Sequence, residues 1–294
     1  MEHIFLSPAK VNLFLKVVSK RPDGYHNLVS VVDQVSLYDV IHIYDDPIDE
    51  VIVEDDRNLL PKGPGNTMYR AVMALKERYG VAHGVRVMVE KKIPIGAGLG
   101  GPSSNAAVVI REMARLWGLR AGLDDLMALG KTVGADVPLF LYGKPCIMRG
   151  IGDRISPVQL PFLWYVIVYP HLVLHTKEVY EGLKIVLTKS ENNINLCEKF
   201  LAVSDIADLL ENDLEEVAFR QCPGIKSIKE RLVQSGALGS LMSGSGSSVF
   251  GVFESEGGAR EASHKLKDLG SVFIAHSTQE EGKDGDYGRQ DLPC

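Results

Sequence analysis

Residues 94–107 read PIGAGLGGPSSNAA, and this glycine-rich stretch decides what kind of fold the chain can form. It follows a strand-like segment, HGVRVMVEKKI, and leads into a run with helical spacing at residues 103–117. Glycine lets the backbone approach an anion closely, and the start of a helix offers unpaired N–H groups and a positive dipole end. The pattern therefore predicts a polyphosphate-binding loop, with a turn that only packs a helix on a sheet as the alternative.

Two common phosphate-binding loops do not match this stretch. Gly96, Gly98 and Gly101 formally fit GxGxxG. A dinucleotide-binding fold would also need an acidic residue at the end of the next strand, and here Asp124 and Asp125 fall in a helical pattern. A P-loop ends in Gly-Lys-Ser/Thr, and no lysine occurs between residues 93 and 130. A Rossmann oxidoreductase and a P-loop enzyme are therefore both disfavoured.

Pro102 interrupts the stretch at a position where an amide donor would be useful. Proline has no N–H group and cannot donate to a phosphate, but its fixed φ suits the first turn of a helix. We therefore expect Pro102 to begin the helix, and we expect the donors to come from neighbouring amides and from Ser103 and Ser104.

The composition is that of an ordinary globular protein. The chain has 294 residues, of which 45% are hydrophobic and 24% charged, and its formal net charge is −6. It has no long Lys/Arg run, which disfavours nucleic acid as a partner. The four cysteines are scattered without a CxxC pair, and the sequence indicates neither a signal peptide nor a membrane span. We therefore expect a cytoplasmic protein with no membrane partner.

Strand and helix patterns follow one another without strict alternation, which favours an α+β fold over a parallel doubly wound sheet. Strand patterns dominate the first ninety residues, and one helix, NTMYRAVMALKERYG, interrupts them and ends at Gly80. The turn-rich segment at 142–161 is a candidate boundary between domains at 1–156 and 157–278. Residues 279–294 are polar and glycine-containing, and we expect a disordered tail there.

Two further segments contain polar residues in apolar surroundings. In SPAKVNLFLKV, strand alternation puts Lys10 and Asn12 on one face, opposite Val11 and Leu13. In GADVPLFLYG, Asp136 lies between the end of a helix and an apolar segment. On local pattern alone, a solvent-facing pair for Lys10 and Asn12 and a helix cap for Asp136 remain alternatives to a functional role.

Four segments in this order resemble the GHMP kinase superfamily: PAKVNL, PIGAGLGGPSSNAA, GADVPLF and LMSGSGSSVFGVF. The resemblance covers about residues 4–276. It implies a two-domain α+β GHMP kinase fold, with an N-terminal domain similar to domain 2 of ribosomal protein S5 and a ferredoxin-like C-terminal domain. It also implies that nucleotide and acceptor meet in a cleft between the two domains.

The resemblance implies an ATP- and Mg²⁺-dependent enzyme that transfers the γ-phosphoryl group to a small-molecule hydroxyl. Asp136 would accept the hydroxyl proton, and Lys10 would hold the aspartate and the hydroxyl and offset developing negative charge. No protein residue is assigned to the metal. The implied nucleotide contacts are Pro94, Ile95, Gly96, Ala97, Gly98, Leu99, Gly100, Gly101, Ser103, Ser104 and Asn66. Asn66 opens a helix, so a plain N-cap is its alternative role.

The segment RPDGYHNLVSV resembles the branch of the superfamily whose acceptor is a methylerythritol linked to cytidine diphosphate. By position, Tyr25 and His26 would meet the cytosine ring through stacking and hydrogen bonds. Tyr180, one helical turn after Thr176, would close over the base from the other side, and Asn12 matches a further substrate contact. A core aromatic on an amphipathic helix is the alternative for Tyr180.

The glycine–serine cluster at residues 243–248 resembles the second glycine-rich loop of the superfamily, and we expect it to support the phosphate loop. Two other functions stay open. A homoserine- or mevalonate-type kinase is disfavoured by DGYHNL, because those acceptors carry no base. A non-catalytic nucleotide- or sugar-binding regulator is disfavoured by the presence of both Lys10 and Asp136. The chain is expected to be a monomer or a homodimer.

Overall fold

The computed structural model describes residues 1–44, 50–183, 194 and 196–279. A long antiparallel hairpin, β1 (Glu2–Lys20) and β2 (His26–Tyr44), forms the centre of the first sheet. Five further strands complete this seven-stranded sheet: β3 (Val51–Asp55), β4 (Val85–Glu90), β5 (Cys146–Gly150), β6 (Arg154–Pro157) and the short β8 (Glu211–Asn212).

Four helices pack on the first sheet: α1 (Thr67–Tyr79), α2 (Gly101–Leu116), α3 (Leu123–Val133) and α4 (Val137–Tyr142). The predicted end of α1 is confirmed, since Gly80 has the left-handed φ of 68° that favours glycine after a helix. Small residues, among them Gly101, Ala106 and Ala107, lie on the buried side of α2, which lets the helix lie close to the sheet. This close packing holds the start of α2, and thus the glycine-rich loop, at the edge of the sheet.

The second half of the chain forms a four-stranded antiparallel sheet from β7 (Trp164–Tyr169), β9 (Gly239–Met242), β10 (Val249–Phe253) and β11 (Ser271–His276). Its spatial order is β11-β7-β10-β9, which is 4-1-3-2 in chain order. Its helices are α5 (Thr176–Glu181), α6 (Val203–Leu209), α7 (Glu215–Gln221), α8 (Gly224–Gln234) and α9 (Glu256–Lys265). This antiparallel βαββαβ arrangement confirms the predicted ferredoxin-like domain.

The two sheets pack face to face, so the layers run helix, sheet, sheet, helix. Alternation along β7 points Tyr165 and Ile167 toward the first sheet, where they share a buried cluster with Leu13. Val166 and Val168 point the other way and pack under the helices of the second half. None of the described helices is long and apolar enough to cross a membrane.

The turn-rich segment at 142–161 also forms strands that the sequence analysis did not identify. It contains the hairpin of β5 and β6, and β5 pairs with β2 between Leu28 and Val32. The strands have only five and four residues, so the surrounding glycines and prolines concealed them in the sequence. The predicted domain division at 156/157 stays a prediction, and β8 from the second half pairs with β1 of the first sheet. Apart from Gln279, the predicted tail lies outside the described residues.

Candidate active site

A cleft of about 870 Å³ is lined by residues from both halves of the chain. It brings together most of the residues that the sequence indicated. These are Lys10, Asn12, Tyr25, His26, Gly96, Gly98, Gly100, Ser103, Asp136, Thr176 and Tyr180. The cleft thus joins the glycine-rich loop, the Lys–Asp pair and the aromatic residues in one site.

Lys10 and Asn12 lie on one face of β1, as the alternation predicted, but they are buried, so the solvent-facing alternative is wrong. The Lys10 ammonium donates a hydrogen bond to Asn12 Oδ1, and Asn12 Nδ2 donates to Ser30 Oγ at 2.8 Å. Burial lowers the pKa of Lys10, and the negative charge of Asp136 opposes this shift. The cleft therefore contains a fixed, largely desolvated amine that is ready to meet an anionic group.

Asp136 occupies the N-cap position of α4, but its side chain makes no capping hydrogen bond. Its carboxylate instead lines the cleft, and its charge acts on groups from three elements. Burial lowers the pKa of Lys10, and the charge of Asp136 opposes this shift. Burial raises the pKa of Tyr180, and the charge of Asp136 raises it further. The same two causes, burial first, raise the pKa of Cys146 to about 12. The Asp136 side chain therefore contributes to the cleft and does not cap the helix.

The glycine-rich loop needs glycine at two positions because other segments of the same chain approach it closely. A Cβ atom on Gly98 (φ 76°) would lie 2.1 Å from the Ser243 carbonyl oxygen. A Cβ atom on Gly100 (φ 72°) would lie 2.9 Å from Phe140 Cζ and 3.0 Å from Lys10 Cγ. The loop is thereby packed between the glycine–serine cluster on one side and Lys10 and α4 on the other.

The helix begins one residue before the position predicted for its start, at Gly101, and Pro102 is its second residue, still within the first turn. The amides of Ser103 and Ser104 both donate to the Gly100 carbonyl oxygen at 3.0 Å, which closes that turn. The Ser103 side chain lines the cleft. Ser104 is fully buried, with Oγ 2.7 Å from Ser7 Oγ, so its hydroxyl does not face the predicted phosphate position. Adjacent helical residues point to different sides, and the sequence did not reveal which serine faces the cleft.

Several residues of the implied nucleotide set do not line the cleft: Pro94, Ile95, Ala97, Leu99, Gly101, Ser104 and Asn66. Ala97 and Leu99 belong to the core between the sheets. Asn66 caps α1, where its Oδ1 accepts from the Met68 amide at 2.9 Å. Its expected contact with the nucleotide stays a prediction.

The glycine–serine cluster at 243–248 contacts both the phosphate loop and α5. Ser243 Oγ donates to the Gly98 carbonyl oxygen at 3.0 Å, and the Ser248 amide donates to the Ala97 carbonyl oxygen at 3.2 Å. Ser245 Oγ lies 2.9 Å from Thr176 Oγ1, the first residue of α5. The cluster therefore supports the phosphate loop, as expected, and links it to the helix that carries Tyr180.

The other end of the cleft is aromatic. The rings of His26 and Tyr180 lie 5.1 Å apart between centroids, and the neighbouring Tyr25 is 59% exposed. Burial lowers the pKa of His26, and the nearby charge of Lys20 lowers it further. The imidazole is therefore neutral near pH 7, with one nitrogen that donates and one that accepts.

Four charged residues of the cleft were not identified from the sequence: Lys20, Asp23, Lys177 and Glu181. Each is close in sequence to a residue that was identified, since Lys20 and Asp23 precede Tyr25 and the other two lie on α5 beside Thr176 and Tyr180. Their closeness to Tyr25 or to Tyr180 along the chain was the sequence feature that could have identified these four residues.

Comparison with known proteins establishes the class to which the chain belongs. Residues 66–144 match the family described as GHMP kinases N terminal domain, and residues 197–272 match GHMP kinases C terminal. A homoserine kinase structure from Cytophaga hutchinsonii, 21% identical, shares the fold with a TM-score of 0.72 over 94% of each chain. The chain belongs to the GHMP kinase family.

Two curated relatives, from Syntrophotalea carbinolica and Geobacter sp. (strain M21), are named 4-diphosphocytidyl-2-C-methyl-D-erythritol kinase. They are 43% and 41% identical to this chain, over 89% and 92% of its length and 93% and 96% of their own. A crystal structure of 4-(cytidine 5'-diphospho)-2C-methyl-D-erythritol kinase is 37% identical, with a TM-score of 0.76 over 94% of this chain and 98% of that one. Within the GHMP kinases, this chain belongs to the 4-diphosphocytidyl-2-C-methyl-D-erythritol kinases.

Proposed function

We propose that the cleft transfers the γ-phosphoryl group of ATP to the tertiary 2-hydroxyl of 4-diphosphocytidyl-2-C-methyl-D-erythritol, a step of non-mevalonate isoprenoid precursor synthesis. The observation that carries the proposal is the layout of the cleft. Lys10 and Asp136 lie beside the glycine-rich loop, and the His26–Tyr180 ring pair lies on the wall of the same cleft. An acceptor with a nucleobase at one end and a hydroxyl at the other fits this layout.

In this proposal Asp136 accepts the proton of the acceptor hydroxyl as the O–P bond forms. Its carboxylate makes no capping bond and is therefore available as the base. Lys10 offsets the negative charge that develops on the hydroxyl oxygen, and its hydrogen bond to Asn12 fixes the direction of the ammonium. Phosphoryl transfer depends mainly on alignment and charge stabilisation, which are the two things these residues supply.

The glycine-rich loop would hold the ATP phosphates, with the Ser103 hydroxyl as a side-chain donor. Mg²⁺ prefers oxygen ligands and commonly binds through one or two protein groups plus substrate phosphates. The described residues contain no cluster of three or more His, Cys, Asp or Glu side chains that could hold a metal alone. The Ser103 hydroxyl on the cleft wall would offer one oxygen ligand to a phosphate-bound Mg²⁺, which would neutralise charge on the transferred group.

The aromatic end would recognise the cytosine ring. Tyr25 offers an exposed ring face, and Tyr180 packs beside His26. A neutral imidazole both donates and accepts, so His26 can pair with the mixed donor and acceptor edge of cytosine. Homoserine and mevalonate carry no base and would leave these groups unused, which supports the cytidyl acceptor over those alternatives.

The test is coupled ATP turnover with three acceptors. We expect ADP release with the cytidyl acceptor and background rates with homoserine and mevalonate. Turnover with either of the latter, without turnover of the cytidyl compound, would refute the substrate assignment. The predicted cytoplasmic location and the choice between monomer and homodimer remain predictions.

A further inference from the structure

Two adjacent polar side chains, Asp33 and Gln34, are buried in the middle of β2, and the chemistry described above does not use them. Their exposed fractions are 0% and 4%. In the hairpin register Asp33 lies opposite Val11, and Gln34 lies opposite Lys10. Successive residues of a strand point to opposite faces, so the two side chains reach different layers of the protein.

Gln34 reaches the helix that follows the catalytic aspartate. Its Nε2 donates to the Leu139 carbonyl oxygen at 3.2 Å, and this bond is buried. Leu139 lies in the first turn of α4, the six-residue helix for which Asp136 is the N-cap. Because the Asp136 side chain makes no capping bond, the position of its carboxylate depends on how α4 itself is held.

The side chains of Val137, Phe140 and Leu141 hold α4 through apolar contacts, and the backbone bonds at its two ends join it only to neighbouring residues of the same segment, Val137 to Gly134 and Gly143 to Leu139. A Cβ atom on Gly130 of α3 would lie 2.7 Å from Leu141 Cδ1 and 2.9 Å from Val137 Cγ1, and Phe140 packs on Gly100. Apolar packing is non-directional, whereas a hydrogen bond specifies both distance and angle. The bond from Gln34 is therefore a directional link from β2, at the position opposite Lys10, to the helix that Asp136 begins.

Asp33 ties the same point of β2 to the second sheet. Its Oδ2 accepts from Tyr165 Oη at 2.7 Å and from Ser277 Oγ at 2.6 Å. The amide of Thr278 donates to the Gln34 carbonyl oxygen at 2.9 Å, so backbone and side chains both cross the interface between the sheets. These bonds hold the backbone of Gln34 still while its side chain supports α4.

We propose that Gln34 is a positioning residue that sets the place of Asp136 relative to Lys10, with Asp33 anchoring it to the second half of the protein. The proposal rests on the proposed role of Asp136 as the base. A displaced carboxylate would slow the proton transfer and leave the binding of both substrates unchanged, because Gln34 itself does not line the cleft.

The test is a double-mutant cycle between Gln34→Met and Asp136→Asn in the full chain, measured by steady-state and single-turnover phosphoryl transfer to the cytidyl acceptor. We expect Gln34→Met to lower kcat about tenfold or more, with both KM values within about twofold of wild type. We expect no further fall when it is added to Asp136→Asn, because a residue that acts through Asp136 has nothing left to position. Gln34→Leu, which also removes the donor and buries no charge, is the second variant if Gln34→Met unfolds.

The matched control is Ser36→Ala on the same strand, whose Oγ accepts from the His276 amide of the second sheet at 2.9 Å. It should keep wild-type kcat. The inference would be overturned if Gln34→Met lowered kcat equally with Asp136 and with Asn at that position, or if it changed only KM. Either result would leave the assignment of Asp136 as the base intact. A near-normal kcat for Asp136→Asn would instead overturn the assignment of the base, and the inference would fall with it.

Discussion

The imidazole of His26 and the phenol of Tyr180 form a ring contact, 5.1 Å between centroids, that joins the two halves of the protein at one wall of the cleft. His26 begins β2 in the first sheet, and Tyr180 lies on α5 in the second half. Tyr180 is linked through Thr176 and Ser245 to the cluster that contacts the phosphate loop. A continuous set of contacts therefore links the proposed site for the cytosine base to the proposed site for the phosphates.

Replacing Tyr180 by Leu should weaken binding of the acceptor. Stacking of a base on an aromatic ring contributes about 1–3 kcal/mol, so KM for the cytidyl acceptor should rise about tenfold while KM for ATP stays unchanged. Tyr180→Phe keeps the ring and is the matched control, with KM near that of wild type. Steady-state kinetics with each substrate varied in turn measures both values. An equal rise in KM for ATP and for the acceptor would indicate that Tyr180 is a core residue rather than part of the binding site.

Replacing Lys10 by Met should remove charge stabilisation without unfolding the protein. We expect kcat to fall by about 10²–10³, the usual cost of losing one preorganised group that stabilises transition-state charge. Because burial already lowers the pKa of Lys10, the apolar side chain should leave the thermal midpoint unchanged or higher. Lys92→Met, at an exposed lysine that does not line the cleft, is the control and should turn over normally. A fully active Lys10→Met variant would contradict the role of the ammonium.

Adding one methyl group to Gly98 should damage the phosphate loop. The new Cβ would lie 2.1 Å from the Ser243 carbonyl oxygen, so the loop or the glycine–serine cluster must move. We expect KM for ATP to rise at least about tenfold. Gly118→Ala is the control, because Gly118 has a similar φ of 61° with nothing within 4 Å of the added atom. It should cost only about 1–2 kcal/mol of stability from backbone strain, with normal kinetics. Equal kinetics for the two variants would show that the contact is unimportant.

Asp33 should make stability depend on pH. Burial raises its pKa from 3.8 to about 6, and its bonds to Ser277 and Tyr165 oppose this shift only in part. Between these two values the folded state binds more protons than the unfolded state, so the contribution of Asp33 to stability is lost as the pH rises through about 6. It is fully present only below the pKa of the unfolded chain.

Asp33→Asn removes this titration and provides the comparison. The free energy of unfolding of wild type minus that of the variant should fall by about 2 kcal/mol between about pH 4 and about pH 7. Urea unfolding of both proteins at several pH values measures this difference. A difference that does not change with pH would show that Asp33 ionises as it does in the unfolded chain.

Features with a short sequence period were predictable. The period of two along β1 placed Lys10 and Asn12 on one face, and Gly80 marked the end of α1 because its left-handed backbone suits glycine. The architecture and the membership of Asp136 in the site came from the resemblance to a family, since four separated segments had to be considered together. Local pattern alone left Asp136 as a possible helix cap.

Features that depend on packing between distant segments were not predictable. The ring contact of His26 with Tyr180, the burial of Ser104 against Ser7 and the bond from Gln34 to Leu139 each join residues far apart in the chain. No local periodicity encodes such pairs. The hairpin of β5 and β6 was missed for a different reason, because strands this short carry too few alternating residues to outweigh the glycines around them.

The central claim is that the cleft phosphorylates the tertiary 2-hydroxyl of the cytidyl acceptor with Asp136 as the base. The most direct measurement is ³¹P NMR of the product made from ATP and this acceptor, by wild type and by Asp136→Asn. We predict a new phosphomonoester on the 2-oxygen with wild type, and a rate lower by about 10²-fold or more with the variant. A phosphate on another oxygen, or product formed by Asp136→Asn at the wild-type rate, would contradict it.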